Sequence, residues 1–308
     1  MKKIFIATTT FCQFSKKPME LLAKNDFQII LNGKNRKLRY SELKNDIFKF
    51  DGVIAGTEEY DRQMLDAAKN LKVISRVGVG LDNIDQDHAL EKGIKVFRTQ
   101  TGPSLAVAEL ALGLILNLMR KIIDQSNNLN NGVWKKQMGS LVSGKTLGII
   151  GMGTIGKKLV EITKGLQLKY LAFDHIKDEE FARENNVEYW DLSYLLENAD
   201  IISVHLNMTK ENVNLINMNR LKKMKPSSII VNTSRGEIIN EHDLEIAVKD
   251  GIIAGAGLDV FQEEPYNGPL INYENVILSP HIGSYAQEIR MTMEMEAVNN
   301  LIKGLNTK

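Results

Sequence analysis

The sequence predicts an α/β chain built from two doubly wound parallel sheets, and three observations carry that expectation. Short, continuously apolar runs alternate with stretches of helical spacing along most of the 308 residues. That is the pattern of strands buried on both faces by helices. The alternation occurs twice, before and after one long apolar segment. At about 150 residues per domain, the length suits two domains.

The elements follow in order. KIFIAT reads as a strand at 2–8. Lys2 and Lys3 before Ile4–Ala7 mimic a secretory leader, but four apolar residues fall short of the roughly 7–15 such a leader needs. A weaker strand lies near Phe27–Leu31, and GVIAG, LKVISR and IKVF give strands at 51–56, 71–76 and 94–97. DRQMLDAAKN and DQDHALEKG, between them, have helical spacing. Gly102-Pro103-Ser104 then opens a single helix over 104–129, closed by NNLNNG. Its most apolar window, Leu105–Met119, is shorter than the ~20 residues that span a bilayer and holds Glu109 and Asn117. It reads as a buried helix. TLGIIG, LKYLAFD, ADIISVH, SIIVNTS, IAGAGLDV and NVILSPH supply six strands of a second sheet. A last helix over 284–303 carries Ile289, Met293, Ala297 and Leu301 as an apolar stripe, widened by Met291, Met295, Val298 and Ile302. Its methionines read as core packing.

Composition narrows the function. The net charge is +1, so no overall basic field attracts nucleic acid. Cys12 is the single cysteine, which excludes an internal disulfide framework and a zinc site made of several thiolates. The five histidines, His88, His175, His205, His242 and His281, lack metal-site spacing, so no metal is expected. A cytoplasmic enzyme is the expectation.

The segment Gly151-Met152-Gly153-Thr154-Ile155-Gly156 matches G-x-G-x-x-G in the context the motif requires, after a strand and opening a helix. Gly151 suits the tight turn, Gly153 lets a pyrophosphate approach the backbone, and Gly156 lets helix and strand pack closely. The helix N-terminus offers free amides and positive potential. Asp174 ends the next strand, about 20 residues on, where a carboxylate can bind the ribose hydroxyls of NAD and repel the extra phosphate of NADP. NAD is the expected cofactor.

Four further polar residues fall at three predicted strand ends: Arg235 after SIIVNTS, Asp259 and Glu264 in GLDVFQEEP, and His281 in LSPHIG. Ligands of open α/β sheets bind beyond the carboxyl ends of the strands. A histidine can carry the hydroxyl proton while a nicotinamide carries the hydride. A carboxylate on its other nitrogen orients it and stabilises the imidazolium. An arginine can take a substrate carboxylate bidentately. Taken singly, each has a plainer reading: a satisfied histidine in a turn, a surface ion pair, a solvated loop acid. The glycine motif and the shared strand-end placement favour the site.

These residues resemble the D-isomer-specific 2-hydroxyacid dehydrogenase family, which includes 3-phosphoglycerate dehydrogenases, glyoxylate and hydroxypyruvate reductases, and D-lactate dehydrogenases. The likeness runs along essentially the whole chain: SRVGVGLDNID at 75–85, VAELALGLILNLMR at 107–120, GKTLGIIGMGTIGK at 144–157, VNTSRGEIIN at 231–240, AGAGLDVFQEEP at 254–265 and NVILSPHIG at 275–283. The resemblance implies a Rossmann NAD-binding domain over 101–284. It also implies a smaller, discontinuous flavodoxin-like substrate domain from 1–100 and 285–308, with the active site in the cleft between the two. It implies Arg235, Glu264 and His281 as the catalytic set, with Asp259 holding the nicotinamide carboxamide and the amides of Val79 and Gly80 anchoring the substrate carboxylate beside Arg235. Thr154, Ile155, Thr233 and Gly283 complete the expected cofactor contacts. The implied assembly is a homodimer or tetramer through the NAD-binding domain, and the implied partner is a small 2-hydroxy or 2-oxo acid.

Departures from the family pattern bear on the substrate. Members acting on 3-phosphoglycerate often carry an arginine after the third strand. Here that loop reads Gly56-Thr57-Glu58-Glu59-Tyr60, whose two glutamates disfavour a phosphate. Arg98 and Lys136 could restore positive charge. Asn207 replaces the usual proline in VHLNMT, with little effect expected, and the chain stops short of the C-terminal regulatory domain that some members carry. The first expectation is a reversible NAD-dependent dehydrogenase, acting on 3-phosphoglycerate or in the manner of a glyoxylate or hydroxypyruvate reductase. The alternatives are a phosphite-type dehydrogenase and, in another class, an NAD-binding corepressor-like protein. Glu264 argues against formate oxidation, where the histidine's partner is a glutamine.

Overall fold

The computed structural model describes all residues except Asn35, Thr101, Thr307 and Lys308. The chain divides into two compact units, Met1–Pro103 with Ser284–Lys308, and Ser104–Gly283. The sequence reading set the joints after residues 100 and 284.

The first unit holds β1 (Lys3–Ile6), β2 (Gln28–Leu31), β3 (Gly52–Ala55), β4 (Val73–Arg76) and β5 (Lys95–Arg98). They form one parallel sheet in the order β2-β1-β3-β4-β5, the flavodoxin-like arrangement. Ile4, Ile6, Ile54 and Val73 point to one face, where helix Gln287–Asn306 lays Met293, Ala297, Val298, Leu301 and Leu305. Each fully buried aliphatic side chain contributes about 1.5–3 kcal/mol. Phe5, Val53, Ala55 and Ile74 face the other side and pack on Leu43, Met64 and Leu65. The helix begins three residues later than the sequence suggested, and its core face also buries Arg290 and Glu294, joined at 3.0 Å. An apolar stripe does not reveal a pair of buried charges that satisfy each other.

The helices Arg62–Ala67 and Gln86–Glu91 are tied by His88. Its Nε2 lies 2.9 Å from Asp66 and its Nδ1 2.9 Å from Glu91, while Lys92 also reaches Asp66 at 2.8 Å. Asp66 and then Glu91 hold the imidazolium, so its pKa is raised, although Arg62 nearby opposes this. Lys92 and His88 pull the Asp66 carboxyl down to about 2. A histidine raised in the folded state adds stability that is complete below its unfolded pKa, near 6.5, and is lost as pH rises through the folded value. The thermal midpoint of His88→Gln should therefore fall below that of the unaltered protein at pH 6, and the gap should narrow by pH 9. A gap independent of pH would refute this.

The second unit holds β6 (Thr146–Ile150), β7 (Lys169–Phe173), β8 (Val187–Tyr189), β9 (Ile201–Val204), β10 (Ile229–Asn232), β11 (Gly255–Leu258) and β12 (Val276–Leu278). All are parallel, in the order β12-β11-β10-β9-β6-β7-β8. The doubly wound fold class expected from the sequence is the one observed. The strand count is not: seven strands replace the expected six. The extra one, β8, is an edge strand with only Val187 buried, so it leaves no apolar run in the sequence. Leu147 and Ile149 face the helix Ser104–Arg120, whereas Ile150, Ile202 and Ile230 face Leu195, Leu196 and Leu244. Both faces are buried, which is why these strands read as unbroken apolar runs.

The single helix expected over 104–129 is two, Ser104–Arg120 and Ile122–Asn130. Lys121 sits between them with φ 52°, in the left-handed region. The Met119 carbonyl accepts the Ser140 amide at 2.7 Å, so the returning chain takes an acceptor that a continuing helix would use. The second helix buries no side chain and has no core to hold it in line with the first. Among the described residues, no helix is long and apolar enough to cross a membrane.

Candidate active site

The strand order of the second unit reverses between β6 and β9, and the glycine turn lies at the end of β6. Gly151 has φ 100° and donates its amide to Phe173 at 2.8 Å. A Cβ there would stand 2.7 Å from the His205 carbonyl carbon, beyond the end of β9. A Cβ on Gly156 would stand 2.5 Å from the Gly151 oxygen. The turn is thus closed by backbone on two sides and tolerates only glycine at these positions. At Gly153 the reverse holds, since a Cβ would enter open space at the start of helix Thr154–Thr163. The first amides of that helix, with Thr154 and Ile155 at its head, lack intrahelical acceptors. The open space over them suits a pyrophosphate.

Two buried polar atoms at the same crest have no partner among the described residues: Thr233 Oγ1, beyond β10, and His205 Nδ1, beyond β9. An unmade hydrogen bond on a buried group is costly, so such atoms point to a polar ligand. Together with the Gly153 opening, they fit a dinucleotide. His205 was not singled out from the sequence. Its Nε2 is 2.8 Å from Ser203 Oγ, and burial drives its pKa down to about 4, so it stays neutral. Asp174 lies directly after β7, where its carboxylate accepts the amides of Met152 at 2.7 Å and Ile176 at 3.0 Å. It therefore braces the glycine turn.

Beyond β10, the Asn232 side chain accepts the Ser234 amide and hydroxyl and donates to the Arg235 carbonyl at 2.8 Å, fixing the turn that carries Arg235. Arg235 Nη1 donates to the Ser234 oxygen at 2.7 Å. Gly236 follows, pressed on the backbone of Phe261 and Gln262 beyond β11. That contact sets the Arg235 turn against the loop that bears Glu264. The Glu264 carboxylate lies 2.9 Å and 3.0 Å from His281 Nδ1 through its two oxygens and accepts the Phe261 amide at 3.3 Å. His281, at φ 54°, is 39% exposed at its side chain, and its Nε2 has no partner among the described residues. One ring nitrogen is held by a carboxylate and the other is presented outward, as proton exchange with a substrate requires.

Asp259 is almost fully buried. Its Oδ1 accepts the Ser279 hydroxyl at 2.6 Å and the Ile282 amide at 2.8 Å, and its Oδ2 accepts the Gly283 amide at 2.8 Å. The carboxylate thus grips the His281 loop on both sides. Burial raises its pKa, against the pull of these bonds and of His281. Gly283 has Asp259 Oδ2 and Val107 at 3.2 Å from where a Cβ would stand, so it makes the close approach possible.

In the first unit, Val79 and Gly80 occupy the loop after β4. Their amides have no acceptor among the described residues, whereas the loop's carbonyls are all engaged. Gly78 O accepts Thr99 N at 3.2 Å, Val79 O accepts Arg98 Nη1 at 3.3 Å, and Gly80 O accepts Arg76 Nη1. Successive amides left without protein acceptors can form an anion-binding nest. Arg98, the last residue of β5, reaches this loop. Glu58 differs from the expectation that it faces a substrate: it is 5% exposed and accepts the Gly56 amide at 2.8 Å. Only Glu59 of the two projects into solvent.

Comparison with known proteins agrees with this geometry. Residues 112–283 match the family model described as D-isomer specific 2-hydroxyacid dehydrogenase, NAD binding domain. A glyoxylate reductase of Thermococcus litoralis is 41% identical over 256 residues, covering 80% of this chain and 77% of its own. A D-3-phosphoglycerate dehydrogenase of Archaeoglobus fulgidus is 35% identical over 94% of this chain, which spans 56% of that relative's length. The crystal structure of the TT0316 protein from Thermus thermophilus superposes with a TM-score of 0.89 at 29% identity, over 98% of this chain and 96% of that one.

Proposed function

Because this chain belongs to the D-isomer-specific 2-hydroxyacid dehydrogenase family, an NAD-dependent oxidoreductase of 2-hydroxy acids, we propose that it reduces a small, unphosphorylated 2-oxo acid such as glyoxylate or hydroxypyruvate. The observation that carries the substrate choice is the loop beyond β3. Gly56–Tyr60 offers no cation, its Glu58 is turned inward, and its Glu59 is exposed. A phosphate near it would meet negative charge. The identity to a glyoxylate reductase, higher than that to the phosphoglycerate dehydrogenase, supports the same choice.

In this reading the unit Met1–Pro103 with Ser284–Lys308 is the substrate domain, and Ser104–Gly283 binds NAD. Val79 and Gly80 present their amides to the substrate carboxylate. Arg235 adds a planar cation that binds the carboxylate and polarises the adjacent carbonyl. Bound NADH supplies the hydride. His281 Nε2, protonated, gives its proton to the oxo oxygen, so that 2-oxo acid and proton become the 2-hydroxy acid. Glu264 holds Nδ1 and balances the imidazolium charge. Thr154, Ile155, Asp174, Thr233, Asp259 and Gly283 line the cofactor side. The segment beyond the buried helix, with Trp134 and Met138 79% and 92% exposed, supports pairing of two chains through the NAD-binding unit.

The test is a panel of 2-oxo acids followed by NADH absorbance. Glyoxylate or hydroxypyruvate should exceed 3-phosphohydroxypyruvate at least about tenfold in kcat/KM, a difference of ~1.4 kcal/mol in transition-state binding. NADPH should serve poorly. A preference for the phosphorylated acid would overturn the substrate assignment. Light scattering on the same sample should give twice the 34.6 kDa chain mass, and a monomer would refute the pairing.

A further inference from the structure

The loop that offers the Val79 and Gly80 amides is wrapped around one side chain. Arg76 is the last residue of β4, paired in register with Ala55 of β3 and Arg98 of β5. Its Nε donates to Gly56 O at 3.2 Å, across to the loop beyond β3, and its Nη1 donates to Gly80 O. Between these contacts the guanidinium lies against Gly78, where a Cβ would stand 2.5 Å from Nη1 and 3.0 Å from Cζ. The loop beyond β3 is braced in turn. Glu58 accepts the Gly56 amide, and Asn83 Nδ2 donates to Glu58 O. Both Glu58 and Arg76 act electrostatically on the fully buried Tyr60 hydroxyl, which has no hydrogen-bond partner among the described residues.

We propose that Arg76 is a positioning residue for substrate binding: by holding the Gly80 carbonyl and tying it to the Gly56 carbonyl, it fixes the end of the loop whose Val79 and Gly80 amides take the substrate carboxylate. The physical reason is the geometry of the peptide group. A carbonyl and the amide of the following residue point opposite ways across one peptide plane, so anchoring the carbonyls of Gly78 and Val79 aims the amides of Val79 and Gly80. Anchoring the Gly80 carbonyl stops the end of the loop from rotating those amides away. A planar guanidinium with several fixed donors can bridge two carbonyls on separate loops, and a lysine ammonium on a flexible stem does so poorly. Gly78 is glycine because the guanidinium occupies the space its side chain would need.

The proposal rests on the reading that a substrate carboxylate sits on these amides, and the experiment separates the two. Amide hydrogen exchange is followed for the loop in the full-length protein, with and without oxalate as a carboxylate probe. Steady-state kinetics are measured for Arg76→Met, Arg76→Lys and Gly78→Ala. In the unaltered protein, oxalate should slow exchange at Val79 and Gly80. In Arg76→Met, the KM for the 2-oxo acid should rise about tenfold to a hundredfold, the range for losing hydrogen bonds to a charged group. Its kcat should stay within about threefold and NADH binding should be unchanged, because the cofactor side is untouched. Oxalate should protect Val79 and Gly80 less in this variant than in the unaltered protein. Arg76→Lys should recover little, and Gly78→Ala, which displaces the guanidinium without removing it, should raise KM in the same direction. No protection by oxalate in the unaltered protein overturns the carboxylate reading and the proposal with it. Protection there, with an unchanged KM in Arg76→Met and Gly78→Ala, overturns the role of Arg76 alone. Parallel losses of kcat, NADH affinity and thermal midpoint in both variants would mark Arg76 as a fold-stabilising residue and also overturn it.

Discussion

Replacing His281 with alanine is expected to slow 2-oxo acid reduction by about 10²–10⁴-fold or more, the usual worth of a positioned general acid. NADH binding, read by fluorescence, should persist, because the glycine turn and the Thr233 and His205 crest are built without His281. His205, beyond β9, cannot stand in for it. Burial keeps that ring neutral down to about pH 4, and its Nε2 is engaged with Ser203. A rate within tenfold of the unaltered protein would end the assignment. Glu264 gives the same proposal a second test. Glu264→Gln keeps the shape and an acceptor oxygen but removes the charge beside Nδ1. The expected result is a fall in kcat for reduction of about tenfold or more, with NADH binding unchanged. An unaltered kcat counts against Glu264 as the partner of the proton donor.

Gly236→Ala should rival that loss through packing alone. The added methyl group would overlap the carbonyl group of Phe261 and the nitrogen of Gln262, which are backbone atoms and cannot swing aside as a side chain can. Overpacking of this kind costs about 1–3 kcal/mol or more. The turn that carries Arg235 and the loop that carries Glu264 must then part. A displacement of about 1 Å at a catalytic group can cost on the order of 10²-fold in rate. The expected result is a fall in kcat/KM of about that size, with a thermal midpoint several degrees lower. Gly165→Ala serves as the control, because a Cβ there meets nothing within 4 Å. Equal activity in the two variants would show that the Gly236 contact does not set the site.

Much of this site was legible in the residues because its chemistry is local. The glycine turn needs Gly151 and Gly156 for reasons that a short segment carries with it, and the backbone atoms that close the turn bear them out. Arg235, Glu264 and His281 could be grouped because each follows an apolar strand, and parallel strands deliver their ends to one crest. His205 escaped that reasoning. A histidine at a strand end is ambiguous in sequence, and only its burial and its unpartnered Nδ1 distinguish it.

By itself, then, the sequence determined the two parallel sheets, the cofactor turn and the family, because strand burial on both faces and glycine's conformational freedom leave marks along the chain. What it could not carry were contacts between distant segments. The capture of the Met119 carbonyl by Ser140 breaks a helix whose own residues would continue it. Asp259 grips the His281 loop from more than 20 positions away. Glu58 turns inward rather than toward solvent, and Arg76 reaches across to Gly56 and Gly80. In each case one polar group chooses among several acceptors or donors. That choice depends on which backbone groups packing brings within about 3 Å, so it is decided only when the chain is folded.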